Sequence, residues 1–118
     1  MIIGIGIDLV DMDRIKELMS ERFIDRILSS EEKKMYLNIA AENTKLSYIG
    51  GRFAAKEALF KAISKGHGKT YYTDFSILNT ENGSPYVKTD YFTNNEIIHI
   101  SITHTDSHAI AYVMIEKL

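Results

Sequence analysis

Apolar residues recur along this chain at two periods, and each period predicts a kind of element. Near the start, Ile3, Ile5, Ile7 and Leu9 alternate with Gly4, Gly6, Asp8 and Val10, the period-2 pattern of a β-strand. Asp11 or Asp13 can cap a following helix that carries Ile15, Leu18 and Met19. A second short helical stretch holds Phe23, Ile24, Ile27 and Leu28. Ser30, followed by Glu31 and Glu32, starts a third that is expected to run to about Ala41. Thr44 is placed to cap the longest helix, expected through about Ser64 and broken by Gly66 and Gly68. Residues 75–78 read as a strand, Asn82-Gly83 as a hairpin turn, and Tyr86-Val87 as the start of the return strand. Residues 97–103 and 109–115 read as two more strands around the polar turn Thr105-Asp106-Ser107. The order of strand, helices and strands predicts an α+β domain in which a largely antiparallel sheet packs on one long helix.

Two carboxylates interrupt these patterns. On a helical wheel of about 100° per residue, Leu46, Ile49, Phe53 and Phe60 define one apolar arc, and Glu57 falls inside it. A carboxylate aimed at a core costs on the order of several kcal/mol unless it is paired, protonated or bound to a metal. Two readings of Glu57 stand open, an i,i+4 ion pair with Lys61 and a metal ligand. Asp8 shares its strand face with Gly4 and Gly6, and glycines within a strand mark close approach by backbone or ligand. Alone, Asp8 reads equally well as a helix cap. Together the two carboxylates suit Mg²⁺, which takes a couple of carboxylates, several waters and substrate phosphates. Gly50-Gly51 in the long helix admits either a close neighbour or ordinary helix packing.

Composition narrows the function classes. A chain of 118 residues suits one domain, residues 1–118, with a real core but no deep private cavity. A large ligand is therefore expected in a groove or between subunits. A net charge of -2 argues against a nucleic-acid binder. The absence of cysteine excludes disulfide and thiolate chemistry and agrees with a reducing, cytoplasmic setting. The apolar start lacks a basic flank and is broken by Asp8, so it reads as a strand and not a signal peptide, and no stretch has transmembrane length. Arg52, Lys56, Lys61 and Lys65 follow the long helix, and Lys65-Gly66-His67-Gly68-Lys69 forms a basic loop, suited to phosphates or simply solvated. His104 shares a face with Ile98, Ile100 and Ile102 at a strand end, as a core-edge residue or a ligand contact. His99 points to the opposite face, which leaves no zinc trio with His108. No nucleophile elbow of a serine hydrolase is present. A metal-dependent nucleotide phosphohydrolase and a non-catalytic nucleotide-binding module both remain compatible with the carboxylate pair.

Two segments narrow the choice further. Gly4-Ile5-Gly6-Ile7-Asp8-Leu9-Val10 and Gly51-Arg52-Phe53-Ala54-Ala55-Lys56-Glu57-Ala58-Leu59-Phe60-Lys61-Ala62 closely resemble the two signature segments of the holo-acyl-carrier-protein synthases, within the phosphopantetheinyl transferase superfamily. Ser101-Ile102-Thr103-His104-Thr105 resembles a third segment, and the spacing matches over essentially the whole chain.

The resemblance implies transfer of 4'-phosphopantetheine from coenzyme A to a serine of acyl carrier protein, in fatty acid biosynthesis, with Mg²⁺ as cofactor. It implies Asp8 and Glu57 as metal ligands, and Glu57, Lys61 and His104 as catalytic residues. Arg52, Lys61 and His104 would contact coenzyme A phosphates. Gly66 and Gly68 would line the same site, and Asn82, Gly83 and Pro85 would lie near the adenine. It also implies a homotrimer with sites between subunits, and no nucleic-acid or membrane partner. The acidic carrier would dock on the helical segment bearing Arg14, Met19, Arg22, Phe23 and Arg26. The interleaved Glu17, Glu21 and Asp25 make that segment less basic than the family pattern.

Overall fold

The structure, a computed structural model, describes residues 1–63 and 70–118. The expected helix end at Ser64 and the basic loop with Gly66 and Gly68 lie outside the described residues. Strand β1 (Ile2–Asp11) leads into three short helices, α1 (Met12–Leu18), α2 (Glu21–Ile27) and α3 (Ser30–Leu37), and then the long α4 (Glu42–Ala62). A 3-10 turn (Tyr72–Asp74) precedes the hairpin β2 (Ser76–Asn79) and β3 (Pro85–Lys88). The long strands β4 (Glu96–His104) and β5 (His108–Lys117) follow.

Local chemistry sets the boundaries. Of the two candidate caps for α1, Asp11 serves, accepting from the Asp13 backbone N–H. Ser29 and Glu32 form a reciprocal capping box at α3. That helix stops at Leu37, short of the expected Ala41, because the Asn38 N–H closes the last turn on the Met35 and Tyr36 carbonyls. Helix α4 begins two residues before Thr44, at Glu42, behind Ala41 and with no side-chain cap. Thr44 thus sits inside the first turn. The Asn82-Gly83 turn forms as expected, with Gly83 at φ 90° and its N–H bonded to Thr80 O at 2.9 Å.

Strands β1, β5 and β4 make an antiparallel sheet in that order, with Asp8 opposite Ala111 and Ile102 also opposite Ala111 from the other side. The α+β expectation therefore holds. Helix α4 lies on the inner face of this sheet, and the glycines of β1 are the reason it can. A Cβ at Gly4 would stand 1.9 Å from Ala62 O, and one at Gly6 would stand 1.8 Å from Ala58 O. The neighbour that these glycines admit is helix backbone, not a ligand. Gly50 likewise makes room for the Met12 side chain. The row Ile3, Ile5, Ile7 and Leu9 points away from the chain's own core, with Ile5, Ile7 and Leu9 60%, 59% and 62% exposed.

Lys56, one of the basic residues along this helix, is fully buried. Its ammonium donates to Ile27 O at 2.6 Å and to Glu32 Oε1 at 2.5 Å. Glu32, also fully buried, accepts from the Ser29 and Ile77 backbone N–H groups at 2.9 and 2.8 Å. Burial pulls the Lys56 pKa below the ordinary lysine value, and Glu32 opposes that pull. One ion pair thus ties α4 to α2, the α3 cap and β2. Removing one partner strands a buried charge, so Lys56→Met should cost about 3–5 kcal/mol. Urea unfolding at neutral pH measures this directly, and a loss below about 1 kcal/mol would contradict the account.

Candidate active site

Asp8 and Lys61 pair where β1 crosses α4, and Glu57 lies one turn earlier on the helix, lining the same hollow as Lys61. Asp8 is on the inner face of β1, just past the two glycines, with its side chain 17% exposed. Lys61, in the last turn of α4, donates to Asp8 Oδ1 at 3.1 Å and to Ile7 O at 3.0 Å. The i,i+4 partner offered for Glu57 is thus paired with the strand instead. Glu57 is half-buried, and its Oε1 accepts a 2.5 Å hydrogen bond from the Tyr72 hydroxyl. Burial first, then the hydrogen bond to Glu57 and its charge, push the Tyr72 pKa up to about 12. Glu57, Lys61, Tyr72 and Arg26 line an open hollow of about 650 Å³.

The donor set fits a hard cation. Asp8 and Glu57 offer carboxylate oxygens, and among the described residues no group of three His, Cys, Asp or Glu side chains assembles. Two carboxylates leave room for waters and phosphate oxygens, as Mg²⁺ prefers.

A second group gathers elsewhere. Arg52, five residues before Glu57, is rotated about 140° from it around α4. It is buried to 9% exposure, and its guanidinium lies 4.1 Å from the centroid of the Tyr48 ring. Arg52 Nε donates to Ile77 O at 3.2 Å and its terminal amine to Asn79 Oδ1 at 2.6 Å. The Asn79 side-chain amide in turn donates to Gly83 O at 3.0 Å, which ties Arg52 to the Asn82–Pro85 turn. Arg52, Tyr48 and the exposed His104 line another hollow, which shares no residue with the first. The structure therefore pairs Asp8 with Lys61 beside Glu57 and sets Arg52 with His104, and among the described residues the two groups line separate hollows.

The carrier-docking candidates also divide. Arg14 and Arg22 are exposed, with Arg14 beside Glu17 at 3.4 Å. Phe23 packs on Phe53, ring centroids 5.8 Å apart, and Met19 is half-buried. Arg26 sits 5.8 Å from the Tyr72 ring centroid and so belongs to the first hollow. Tyr48, Tyr72 and Asn79 carry no signal in the sequence pattern. Each lies outside any hydrophobic or charge period, and only the fold brings it to the site.

The profile of the 4'-phosphopantetheinyl transferase superfamily matches residues 4–113. The holo-[acyl-carrier-protein] synthase of Acholeplasma laidlawii is 47% identical over 116 residues, covering 98% of each chain. The solved holo-(acyl-carrier-protein) synthase of Bacillus anthracis, in complex with CoA (3',5'-ADP), superposes with a TM-score of 0.89 at 34% identity, covering 100% of this chain and 99% of that one. The Helicobacter pylori enzyme in complex with coenzyme A gives a TM-score of 0.79 at 31% identity, covering 95% and 99%. The chain belongs to the 4'-phosphopantetheinyl transferase superfamily.

Proposed function

We propose that the protein transfers 4'-phosphopantetheine from coenzyme A to a serine hydroxyl of an apo-acyl carrier protein, releasing adenosine 3',5'-bisphosphate. The observation that carries this reading is the meeting of Asp8, Lys61 and Glu57 across β1 and α4 in a chain of this family. In this reading Asp8 and Glu57 hold Mg²⁺, which when bound neutralises pyrophosphate charge. Lys61 adds a fixed positive charge beside Asp8. The serine oxygen bonds to the β-phosphorus as the bond to the departing bisphosphate breaks. The serine proton passes to Glu57 or to a bound water. Arg52 and His104 bind phosphates and the Asn82–Gly83–Pro85 turn faces the adenine, while the expected contribution of Gly66 and Gly68 falls outside the described residues. Fatty acid biosynthesis in the cytoplasm is the setting this reaction implies. Among the described residues no helix is long and apolar enough to cross a membrane.

The proposal includes a homotrimer whose sites are shared between chains. Two features support it. Among the described residues, Arg52 and His104 line a different hollow from the one lined by Lys61 and Glu57. The outer sheet face, with Ile5, Ile7, Leu9 and Tyr112 exposed, is the kind of apolar surface that a partner covers.

Four outcomes test the reading. Intact-mass spectrometry of a carrier incubated with coenzyme A and Mg²⁺ should show the gain of one phosphopantetheine. Asp8→Ala and Glu57→Gln should each reduce transfer by at least about 100-fold, as expected for loss of a charge-stabilising group. Hydrolysis of coenzyme A without transfer would contradict the assignment. Ile5→Glu should give an inactive monomer by sedimentation equilibrium, and a fully active monomer would refute the shared site. Reversing Arg14 and Arg22 to glutamate should raise the KM for carrier strongly and leave the KM for coenzyme A nearly unchanged, because exposed charges mainly steer encounter. An unchanged carrier KM and salt dependence would move the dock off this segment.

A further inference from the structure

Tyr72 has no role in the reading above, yet its placement is tightly determined. Its ring lies 5.0 Å from the Phe60 centroid and 5.9 Å from that of Phe53, with the Arg26 guanidinium over it. Its own backbone is fixed by the 3-10 turn, where Phe75 N–H donates to Tyr72 O at 3.3 Å. These contacts hold the ring, and phenylalanine would satisfy every one of them. What they do not explain is the hydroxyl. A phenol set among aromatic rings needs a partner, and here that partner is Glu57 Oε1 at 2.5 Å.

We propose that Tyr72 is a positioning residue for Glu57, pinning one carboxylate oxygen so that the other is presented to the cation. The terminal torsion of a glutamate is broad, so an unrestrained carboxylate would spread over many orientations. Lys61 does not restrain it, being engaged with Asp8 and Ile7. Hydrogen bonds of this outer kind, to groups that hold a metal, change metal affinity by roughly 10–100-fold when removed. The Arg26 guanidinium lies 5.8 Å from the centroid of the same ring. A residue of the helical segment proposed to meet the carrier is thereby linked through one aromatic ring to a metal ligand.

The inference rests on reading Asp8 and Glu57 as cation ligands, and the test separates the two claims. Mn²⁺ binding is titrated by electron paramagnetic resonance, in the presence of adenosine 3',5'-bisphosphate, for the wild type, Glu57→Gln and Tyr72→Phe. Tyr72→Phe should bind Mn²⁺ about 10-fold more weakly or worse. It should keep its unfolding midpoint and regain most of its kcat at saturating metal. If Glu57→Gln loses Mn²⁺ while Tyr72→Phe binds like the wild type or more tightly, the positioning role is overturned and the cation site stands. If Glu57→Gln itself binds Mn²⁺ normally, the cation site falls and the role of Tyr72 falls with it.

Discussion

Helix α4 approaches β1 more closely than any side chain at Gly4 or Gly6 would permit, and the arrangement of the site depends on that contact. The spacing has a geometric reason. Two residues of strand rise about 6.6 Å and four residues of helix about 6 Å, so glycines two apart on β1 can face Ala62 and Ala58 four apart on α4. The strand and helix run antiparallel at nearly matched pitch. Asp8 is the next residue along that face, and it emerges where Lys61 can reach both its carboxylate and the preceding carbonyl. A single Cβ in this seam would force the helix off the strand and separate the groups that the chemistry needs together.

The other side of the helix is fixed by a different device. The buried Lys56–Glu32 pair joins α4 to β2 through the Ile77 N–H, and Ile77 returns its carbonyl to Arg52. Asn79 and the Gly83 turn complete the support. Arg52 is held in this way on a helix face about 140° from Glu57. One helix thus presents an acidic cluster on one face and a braced arginine on another. In the proposed assembly the exposed apolar outer face of the sheet joins copies, and the two clusters meet across a boundary between chains.

Much of this could be read from the chain before any coordinates. The alternation in β1, the inward Glu57 and the Asn82-Gly83 hairpin are each governed by local periodicity or turn chemistry, and each is found in the structure. Gly4 and Gly6 announced a close approach, but only the fold shows that helix backbone is what approaches. The burial of Lys56 was not legible, because its partner Glu32 is far away in sequence and its burial depends on how three helices pack. Tyr72 and Asn79 follow no period at all. Thr44 had the chemistry of a cap, yet α4 starts earlier without one, its packed middle outweighing the missing bond at its end. Function was legible through the two signature segments, more than through the wheel or the glycine face.

The proposed division of the site between chains is tested most directly by mixing two inactive variants. Asp8→Ala lacks a carboxylate of one cluster, and Arg52→Ala lacks the braced arginine of the other. Unfolded together in equal amounts and refolded into mixed rings, they should recover about a quarter of the wild-type transfer rate, because random assortment in a cyclic oligomer restores one intact pairing in four. Refolded separately, each should remain inactive. If the mixture assembles with both chains present and gains no activity, Asp8 and Arg52 serve the same chain, and the shared site is wrong.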